Sequence, residues 1–365
     1  MTIYVDHTHL GRHVTGLERV TLELFSRSAL APLDVVPVTA RGSRQMILRQ
    51  TFRLPLRLAT SSSLLLCPGF PPSPLLRPFA ARVLPYIHDI FLLSRPADLN
   101  LRARLYMAAP FRLALRRYPR FLTNSNDTRE KLAAHCRPDA AITLYRPPVR
   151  NVFGLNADGR ADRQDHRRDH RRTLRLVALG TVEPRKNFLA AAKIAAALRS
   201  LECPNVTLDI LGRRGWGEDW DILKSLPGVT LHGYRPDDRV RALLTEADIF
   251  ICTSHEEGLG LPLLEAQYAG LPIVAPDAAI FREVLGQSGI FVDPSEPKTA
   301  ATTITGMLAD GAWRSRYVAL GTENLARWNA LARADRDAVV TLIARLARDG
   351  APAPAPHRAD RIAEH

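Results

Sequence analysis

Residues 174–292 alternate short apolar runs with stretches of helical periodicity, and this alternation leaves few folds open to the chain. The apolar runs are short, and each ends in a glycine, a proline or a serine: LRLVALG, VTLDILG, DIFICTS and PIVAP. Helical patterns such as NFLAAAKIAAALRSL and DDRVRALLTEA lie between them. Strands that alternate with helices form a parallel sheet with helices on both faces. The sequence therefore predicts a doubly wound α/β domain over 174–328.

The first part of the chain repeats this pattern less regularly. TIYVD, SLLLCPG, RVLPYIHDI, RFLTNS and AITLY are typical of buried strands, and a helical pattern opens at a glycine turn at Gly16. We therefore predict a second α/β domain over 1–156. Two such domains would face each other across a cleft, with ligands bound at the carboxyl ends of the strands.

Three further segments complete the predicted organisation. Residues 157–173 are almost wholly Arg, Asp and His and cannot bury enough surface to fold, so they predict a charged, disordered linker. A long helical pattern follows the second domain over 329–348. The Pro/Ala-rich end of the chain, 349–365, predicts a disordered tail.

Composition limits the partners and the compartment. The chain has 365 residues with 50 Lys and Arg against 37 Asp and Glu, and this excess of positive charge favours anionic partners. The four cysteines form no C-x-x-C pair, which argues against a zinc site or a disulfide framework. Because we find neither a signal peptide nor an apolar run long enough to span a bilayer, we expect a cytoplasmic protein.

The stretch EEGLGLPLLEAQYAGLPIVAP, residues 256–276, sets two carboxylates, Glu257 and Glu265, around a glycine turn. The turn follows the strand DIFICTS, and Pro262 suits the first turn of the helix that comes next. Backbone amides at such a turn favour an anion such as a phosphate, which leaves the carboxylates free to accept hydrogen bonds from hydroxyl groups. On spacing alone, Glu265 could equally serve only to favour the start of the helix.

Two more motifs follow predicted strands. Gly180 ends the strand LRLVALG, and Arg185 and Lys186 stand just before the next helix, where fixed cations could stabilise a departing diphosphate. His88 and Asp89 follow the strand RVLPYI. A solvated Arg–Lys turn and a His–Asp pair that closes a strand are the structural alternatives. The DWD triplet at 219–221 follows no strand and indicates a helix start, so we expect no metal site there.

The stretch from Glu256 to Pro276 resembles the signature of glycosyltransferase family 4, whose members have the GT-B fold: two Rossmann-like, doubly wound parallel-sheet domains facing a cleft. These enzymes are retaining transferases that use nucleotide sugars. The resemblance implies that Glu257 binds the donor sugar and Glu265 the ribose. It also implies that the backbone of Gly258, Leu259 and Gly260 meets the sugar and the diphosphate.

The same resemblance implies roles for the other motifs. Arg185 and Lys186 would bind the donor diphosphate beside Gly180, and His88 would lie near the donor sugar and the acceptor. Catalysis would therefore rest on these two cations, His88 and the first glutamate of the signature.

Three further positions carry weaker implications. The glycine loop of the family is only partly matched, because Gly16 and Arg19 fit its pattern whereas Gly11 is displaced. Gly212 and Tyr234 correspond to strand ends near the nucleotide.

The resemblance implies transfer of a hexose from a nucleoside diphosphate sugar, with GDP-mannose as the first guess, to a saccharide or lipid-linked acceptor in surface polysaccharide synthesis. No cofactor and no metal are expected. Arginine-rich apolar stretches at 41–57 and 102–120 make an anionic membrane surface a further candidate partner, and thus a peripheral location on its inner face. A sugar-nucleotide epimerase of the same fold is the alternative, and a basic nucleic-acid-binding protein a more remote one.

Overall fold

The computed structural model describes residues 1–11, 16–94, 107–158, 173–201 and 205–349. Most of the predicted linker, 159–172, and nearly all of the predicted tail, 350–365, lie outside the described residues. The stretch at 102–120 is described only from residue 107 onward.

The first domain is built on a six-stranded parallel sheet in the order β2-β1-β3-β4-β5-β6. Its strands are β1 (Ile3–His7), β2 (Val35–Thr39), β3 (Leu64–Cys67), β4 (Val83–Ile87), β5 (Arg120–Thr123) and β6 (Ala141–Leu144). Its helices are α1 (Gly16–Phe25), α2 (Gly42–Leu48), α3 (Leu54–Thr60), α4 (Phe91–Ser94), α5 (Ala109–Arg117) and α6 (Asn126–Ala133), with a π-helical turn at Arg49–Arg53 and a 3-10 helix at Pro74–Arg82.

The second domain repeats the architecture with the strand order β12-β11-β10-β7-β8-β9, again parallel throughout. Its strands are β7 (Leu174–Leu179), β8 (Val206–Leu211), β9 (Val229–Gly233), β10 (Ile249–Ile251), β11 (Ile273–Pro276) and β12 (Gly289–Val292). Its helices are α7 (Phe188–Ser200), α8 (Asp219–Ser225), α9 (Asp237–Glu246), α10 (Leu261–Gln267), α11 (Ala279–Leu285) and α12 (Pro297–Ala309), with 3-10 turns at Pro184–Lys186 and Gly286–Ser288.

Both faces of the first sheet are covered, as β3 illustrates. Leu64 and Leu66 pack into the core shared with α1 and the second domain, whereas Leu65 and Cys67 pack into a separate core beneath α3 and α5. All four side chains are buried, as expected for a parallel strand between two helical layers. The apolar run SLLLC therefore shows no alternation in sequence.

One long helix, α13 (Trp313–Asp349), joins the two domains. In its first half, Asn324 donates to Gln267 in the second domain at 2.9 Å. One turn further on, the indole of Trp328 donates to the carbonyl of Pro147 in the first domain at 3.0 Å, and the ring is fully buried. The predicted helix over 329–348 is part of α13, but the predicted start is wrong because the helix begins at Trp313.

A buried arginine ties the same three parts together. Arg146, which follows β6, is bound by Glu283 of α11 at 3.0 Å and by Asp335 of α13 at 2.8 Å. Glu283 also accepts hydrogen bonds from the backbone amides of Asn126 and Asp127 at the start of α6. Carboxylates from the second domain and from the long helix therefore surround this guanidinium of the first domain.

The strand β2 was not predicted from the sequence. Its residues are VVPVT, and Pro37 cannot donate to a ladder hydrogen bond. The strand lies at the edge of the sheet and pairs only with β1 among the described strands, and an edge position tolerates proline. The tertiary position of the segment thus overrides the strand-breaking character of its proline.

We predict that Trp328→Ala destabilises the protein by about 3–5 kcal/mol, because it leaves a cavity and removes the contact with Pro147. Urea unfolding, followed by far-UV circular dichroism, measures the change. Arg333→Ala, at an exposed position of the same helix, is the control and is expected to change stability by less than about 0.5 kcal/mol. Equal midpoints for the two variants would contradict the packing role of Trp328.

Candidate functional site

A cleft of about 540 Å³ lies between the two domains, at the carboxyl ends of strands from both sheets. The second domain contributes the ends of β7, β8 and β9 and the turn after β10, and the first domain contributes the start of α1 and the residues after β4. All the site residues predicted from the sequence line this one cleft: Gly16, His88, Gly180, Arg185, Lys186, Gly212, Tyr234, Glu257, Gly258, Leu259, Gly260 and Glu265.

Glu257 is held by three donors on the floor of the cleft. Its Oε1 atom accepts from Lys186 Nζ at 2.5 Å and from Ser254 Oγ at 2.7 Å. Its Oε2 atom accepts from Arg185 Nη1 at 3.2 Å. The side chain is only 9% exposed, and the three donors leave one of the roughly four acceptor sites of the carboxylate, on Oε2, for a ligand.

The charges around Glu257 decide its ionisation. Burial by itself raises the pKa of this carboxyl, but the positive charges of Lys186 and Arg185 outweigh burial and hold the pKa below its ordinary value. Glu257 is therefore ionised at neutral pH. The sequence suggested that the cations and the carboxylate act on separate parts of a ligand; the structure instead joins them in one hydrogen-bonded group.

Arg185 is fixed from several sides. Its guanidinium donates to Glu183 at 2.8 Å and to the carbonyl of Glu256 at 2.9 Å. It also lies over the ring of Phe91 from the first domain, 5.5 Å from the ring centroid. Burial disfavours its charge, but the surrounding carboxylates, Glu257 first, raise its pKa above the ordinary value. The cation is thus positioned before any ligand arrives.

Two glycines keep the backbone open where β7 and β8 end. A Cβ atom on Gly212 would lie 1.8 Å from the carbonyl oxygen of Gly180. This distance is a steric clash, so any residue with a side chain would force the backbone to move. Gly180 itself has a φ of +149°, and a Cβ there would meet the side chain of Lys186 at 3.1 Å. The two strand ends can approach each other and Lys186 only because both residues are glycines.

Gly258 brings the two domains into direct contact. A Cβ atom on it would lie 2.2 Å from the carbonyl oxygen of His88. Its own carbonyl accepts from Ser125 Oγ at 3.2 Å and from Thr128 Oγ1 at 3.4 Å, both in the first domain. The turn after Glu257 therefore lies directly against the end of β4.

Glu265 forms an ion pair with Arg19 of α1, across the cleft. Its side chain is only 5% exposed. Burial raises the pKa of Glu265 to about 7, because the charge of Arg19 offsets only part of that effect. The sequence placed Arg19 in the partly matched glycine loop; here its guanidinium is bound to the second glutamate of the motif.

His88 presents one ring nitrogen to the protein. Its Nε2 atom lies 2.7 Å from the carbonyl oxygen of Pro68, and a carbonyl can only accept, so Nε2 carries the proton. Burial lowers the pKa of the ring below its ordinary value, although Asp89 acts in the opposite direction. In the neutral form that this favours, Nδ1 is an acceptor. The structural alternative was a His88–Asp89 pair at the end of β4. Asp89 instead accepts a hydrogen bond from the backbone amide of Phe91 at 3.0 Å.

The remaining predicted positions lie at the rim. Tyr234 is 63% exposed, and the guanidinium of Arg213 lies 4.7 Å from its ring centroid. Gly16 begins α1, and a Cβ atom there would have no heavy atom within 4 Å. An open rim with a stacked aromatic ring can accommodate a planar group.

Two residues with clear roles at the site were not predicted from the sequence. Ser254 donates to Glu257, and Glu183 orients Arg185. Each stands within three residues of a predicted site residue, at a strand end or in the motif VEPRK, and that position was the available signal. Within the described residues, no group of three or more His, Cys, Asp or Glu side chains is arranged to hold a metal ion.

Solved structures resemble the chain over nearly its whole length. HepE from Anabaena, in complex with UDP, has a TM-score of 0.62 and 17% sequence identity, and the match covers 91% of this chain and 98% of that one. Sucrose-phosphate synthase from Thermosynechococcus elongatus has a TM-score of 0.67 and 15% identity, with 95% and 98% covered. WaaG, a glycosyltransferase involved in lipopolysaccharide biosynthesis, has a TM-score of 0.63 and 13% identity, with 94% and 99% covered. The predicted GT-B fold is confirmed.

Residues 173–310 match the family model described as "Glycosyl transferases group 1". This segment contains all of the second sheet and the residues Arg185, Lys186, Glu257 and Glu265. The second domain therefore resembles the group 1 glycosyltransferases.

Curated relatives match over a shorter segment. O-antigen chain mannosyltransferase B of Escherichia coli is 32% identical over 148 residues, which are 39% of this chain and 39% of that protein. The phosphatidyl-myo-inositol mannosyltransferase of Mycolicibacterium smegmatis is 33% identical over 154 residues, which are 40% of this chain and 39% of that protein. The chain thus matches about two fifths of the length of each of these relatives.

We predict that Gly258→Ala destabilises the protein by about 1–3 kcal/mol, because the new methyl group must displace the His88 carbonyl or push the domains apart. Differential scanning fluorimetry measures the effect. Gly306→Ala in α12 is the matched control: a Cβ there meets nothing within 4 Å, and alanine favours the helix by up to about 1 kcal/mol. A Gly258→Ala protein as stable as wild type would show that the domains are not closely packed at this turn.

The raised pKa of Glu265 predicts a pH-dependent stability. The folded protein holds this proton up to about pH 7, whereas an ordinary glutamate releases it near 4.5, so stability falls as pH rises through this interval. Glu265→Gln is expected to reduce the loss between pH 5 and pH 8, by about 3 kcal/mol at most. Urea unfolding at both pH values tests this, with Glu323→Gln on the exposed side of α13 as the control. An unchanged pH dependence in Glu265→Gln would refute it.

Proposed function

We propose that the protein is a retaining glycosyltransferase that moves a hexose from a nucleoside diphosphate sugar to a saccharide or lipid-linked acceptor. The observation that carries the proposal is the hydrogen-bonded group of Glu257, Lys186 and Arg185 at the carboxyl ends of two neighbouring strands, in a cleft between two domains. The ligand of such a cleft has both an anionic part and a hydroxylated part.

The cations supply the stabilisation that a leaving diphosphate needs. Lys186 has three N–H donors and uses one on Glu257, which leaves donors for phosphate oxygens. Arg185 is held in place by Glu183 and the Glu256 carbonyl, so no side-chain ordering is required when charge develops on the leaving group. Gly180 and Gly212 allow the diphosphate to approach the backbone at the strand ends.

The acids are proposed to bind hydroxyl groups. The ionised Glu257 faces the sugar, and Glu265 exchanges Arg19 for the hydroxyls of the ribose when the donor binds. Nδ1 of His88 accepts from a hydroxyl of the donor sugar or of the acceptor. Tyr234 and Arg213 at the rim flank the base.

Transfer with retention is proposed without a covalent intermediate on the protein. Glu257 is poorly suited as a nucleophile, because three donors already bind its carboxylate and its pKa is low. The proposal therefore gives the acceptor's proton to an oxygen of the donor phosphate, and the acceptor oxygen attacks from the side on which the diphosphate departs. Closure of the two domains excludes water from this step.

Mannose is the proposed sugar and GDP-mannose the proposed donor, since curated relatives are named as mannosyltransferases. One of these names refers to the O-antigen chain, which supports surface polysaccharide synthesis as the pathway. We place the enzyme on the cytoplasmic side, at the inner face of the membrane. Among the described residues, no helix is both long and apolar enough to cross a bilayer.

We predict that Lys186→Ala weakens binding of the preferred nucleoside diphosphate about 10- to 100-fold, because it removes a charged hydrogen bond to phosphate. Isothermal titration calorimetry with GDP, UDP, dTDP and ADP measures this and identifies the base. Lys193→Ala is the matched control, since Lys193 is an exposed lysine further along α7. If the wild type binds none of the four nucleotides, the proposed function fails.

Product analysis separates the proposal from its alternative. With donor and acceptor present, proton NMR of the product should show the anomeric configuration of the donor, and Glu257→Gln should lower the rate of transfer. Release of the sugar without transfer to any acceptor would instead favour a sugar-nucleotide epimerase of the same fold.

A further inference from the structure

A second recess lies on the carboxyl edge of the second sheet, beside the cleft. Its volume is about 900 Å³, against about 540 Å³ for the cleft. The cleft takes the ends of β7, β8 and β9, whereas the second recess lies at the ends of β10, β11 and β12, between the starts of α7 and α12. In open parallel sheets this edge is where ligands bind. The side chains in its lining that matter for recognition are those of Lys193, Thr253, His255, Asp277, Phe291 and Asp293.

One wall of the second recess is held in place by an arginine. Arg282 donates to both carboxylate oxygens of Asp277, with Nη2 at 2.7 Å from Oδ2. The same guanidinium lies over the ring of Phe291, 4.7 Å from the ring centroid. The tip of this ring lies against Gly289, where a Cβ atom would be 2.6 Å from Cζ of Phe291. The carboxylate and the aromatic ring are therefore positioned before any ligand arrives.

Other groups of the lining can both accept and donate hydrogen bonds. Asp293 accepts from the backbone amide and the hydroxyl of Ser295 at 2.8 and 2.7 Å, and both bonds end on Oδ1. Its Oδ2 atom can therefore accept from a ligand. Lys193 is exposed, lines the second recess rather than the cleft, and has three N–H donors. Thr253 donates to the carbonyl of Asn187 at 2.8 Å and so joins the end of β10 to the start of α7.

The charges of the lining select among ligand classes. Apart from His255, the charged side chains are one lysine and two aspartates, so a phosphate group would meet more acid than base. An apolar molecule would cover these polar groups without replacing their water. A neutral molecule with many hydroxyl groups fits both, because each hydroxyl donates and accepts. Phe291 and three prolines of the lining, Pro276, Pro294 and Pro297, suit the C–H faces of sugar rings.

We infer that the second recess binds an oligosaccharide, at a site separate from the cleft. Pockets of about 300–1,000 Å³ enclose molecules of drug size. A volume of about 900 Å³ therefore has room for several linked sugar residues. The occupant is the glycan part of the acceptor, and for the identity of its sugar the inference rests on the proposed function.

The second recess shares a wall with the group around Glu257. Ser254 lines the recess, and its hydroxyl donates to Glu257 Oε1 at 2.7 Å. The next residue, His255, also lines the recess, and its backbone amide donates to the carbonyl of Arg185 at 2.9 Å. A glycan in the recess thus stays beside the cleft between transfers, which raises the effective concentration of the acceptor there.

Isothermal titration calorimetry of the full-length protein with α-linked mannotetraose tests the inference. Wild-type protein should bind the tetrasaccharide in the absence of any nucleotide. Phe291→Ala should weaken binding at least tenfold, because it removes the aromatic wall. Asp293→Asn should weaken binding about tenfold, because it replaces a charged acceptor. The amide oxygen of this variant can still accept from Ser295, so it should fold like wild type and keeps the test decisive where Phe291→Ala does not fold.

Two further variants locate the bound saccharide. Asp337→Asn changes an exposed aspartate of α13 and is the matched control, with the affinity of wild type expected. His88→Ala changes the cleft and should also retain the affinity. The inference is wrong if wild type does not bind millimolar tetrasaccharide, or if either folded variant of the recess binds as tightly as wild type. It is also wrong if His88→Ala abolishes binding, because the saccharide then lies in the cleft.

Nucleotide calorimetry on the same preparations separates this inference from the proposed function. Asp293→Asn should bind the preferred nucleoside diphosphate like wild type, since Asp293 lies outside the cleft. Nucleotide binding without tetrasaccharide binding would refute the second recess alone. Tetrasaccharide binding that is sensitive to Asp293→Asn, without nucleotide binding, would support the recess and refute the proposed function.

Discussion

The buried guanidinium of Arg146 is the interaction on which the arrangement of the two domains depends. It forms ion pairs with Glu283 of the second domain and with Asp335 of the long helix. Glu283 in turn accepts hydrogen bonds from the first backbone amides of α6. Breaking a buried pair by removing one partner typically costs about 3–5 kcal/mol, because a charge is left without compensation. The network therefore holds the carboxyl ends of the two sheets toward each other. The cleft is the space between these facing ends.

That orientation explains the contacts inside the cleft. Once the sheets face each other, the turn after Glu257 meets the end of β4, and only a glycine at position 258 fits against the His88 carbonyl. The same approach brings Arg19 to Glu265 and Phe91 to Arg185. Residues of the first domain thus set the electrostatic environment of side chains that belong to the second.

The site reconciles positive and negative groups by pairing them before a ligand binds. Glu257 remains ionised because Lys186 and Arg185 outweigh its burial, whereas Glu265, with one cation and a neighbouring Glu23, has its pKa raised to about 7. Two glutamates of one motif therefore differ in charge state near neutral pH. The number of cations within reach of each carboxylate, which is a tertiary property, makes the difference.

The sequence by itself determined the α/β class, most strands, the resemblance to a known family and every predicted residue that the cleft brings together. It could do so because strand–helix alternation and glycine-rich strand ends are local patterns. Only the tertiary structure decided the edge position that makes VVPVT a strand, the early start of α13 and the partners of Arg19, Ser254 and Glu183. These features depend on which distant segments come into contact. Burial and the approach of opposite charges arise from packing, and they produce no periodic pattern in the sequence.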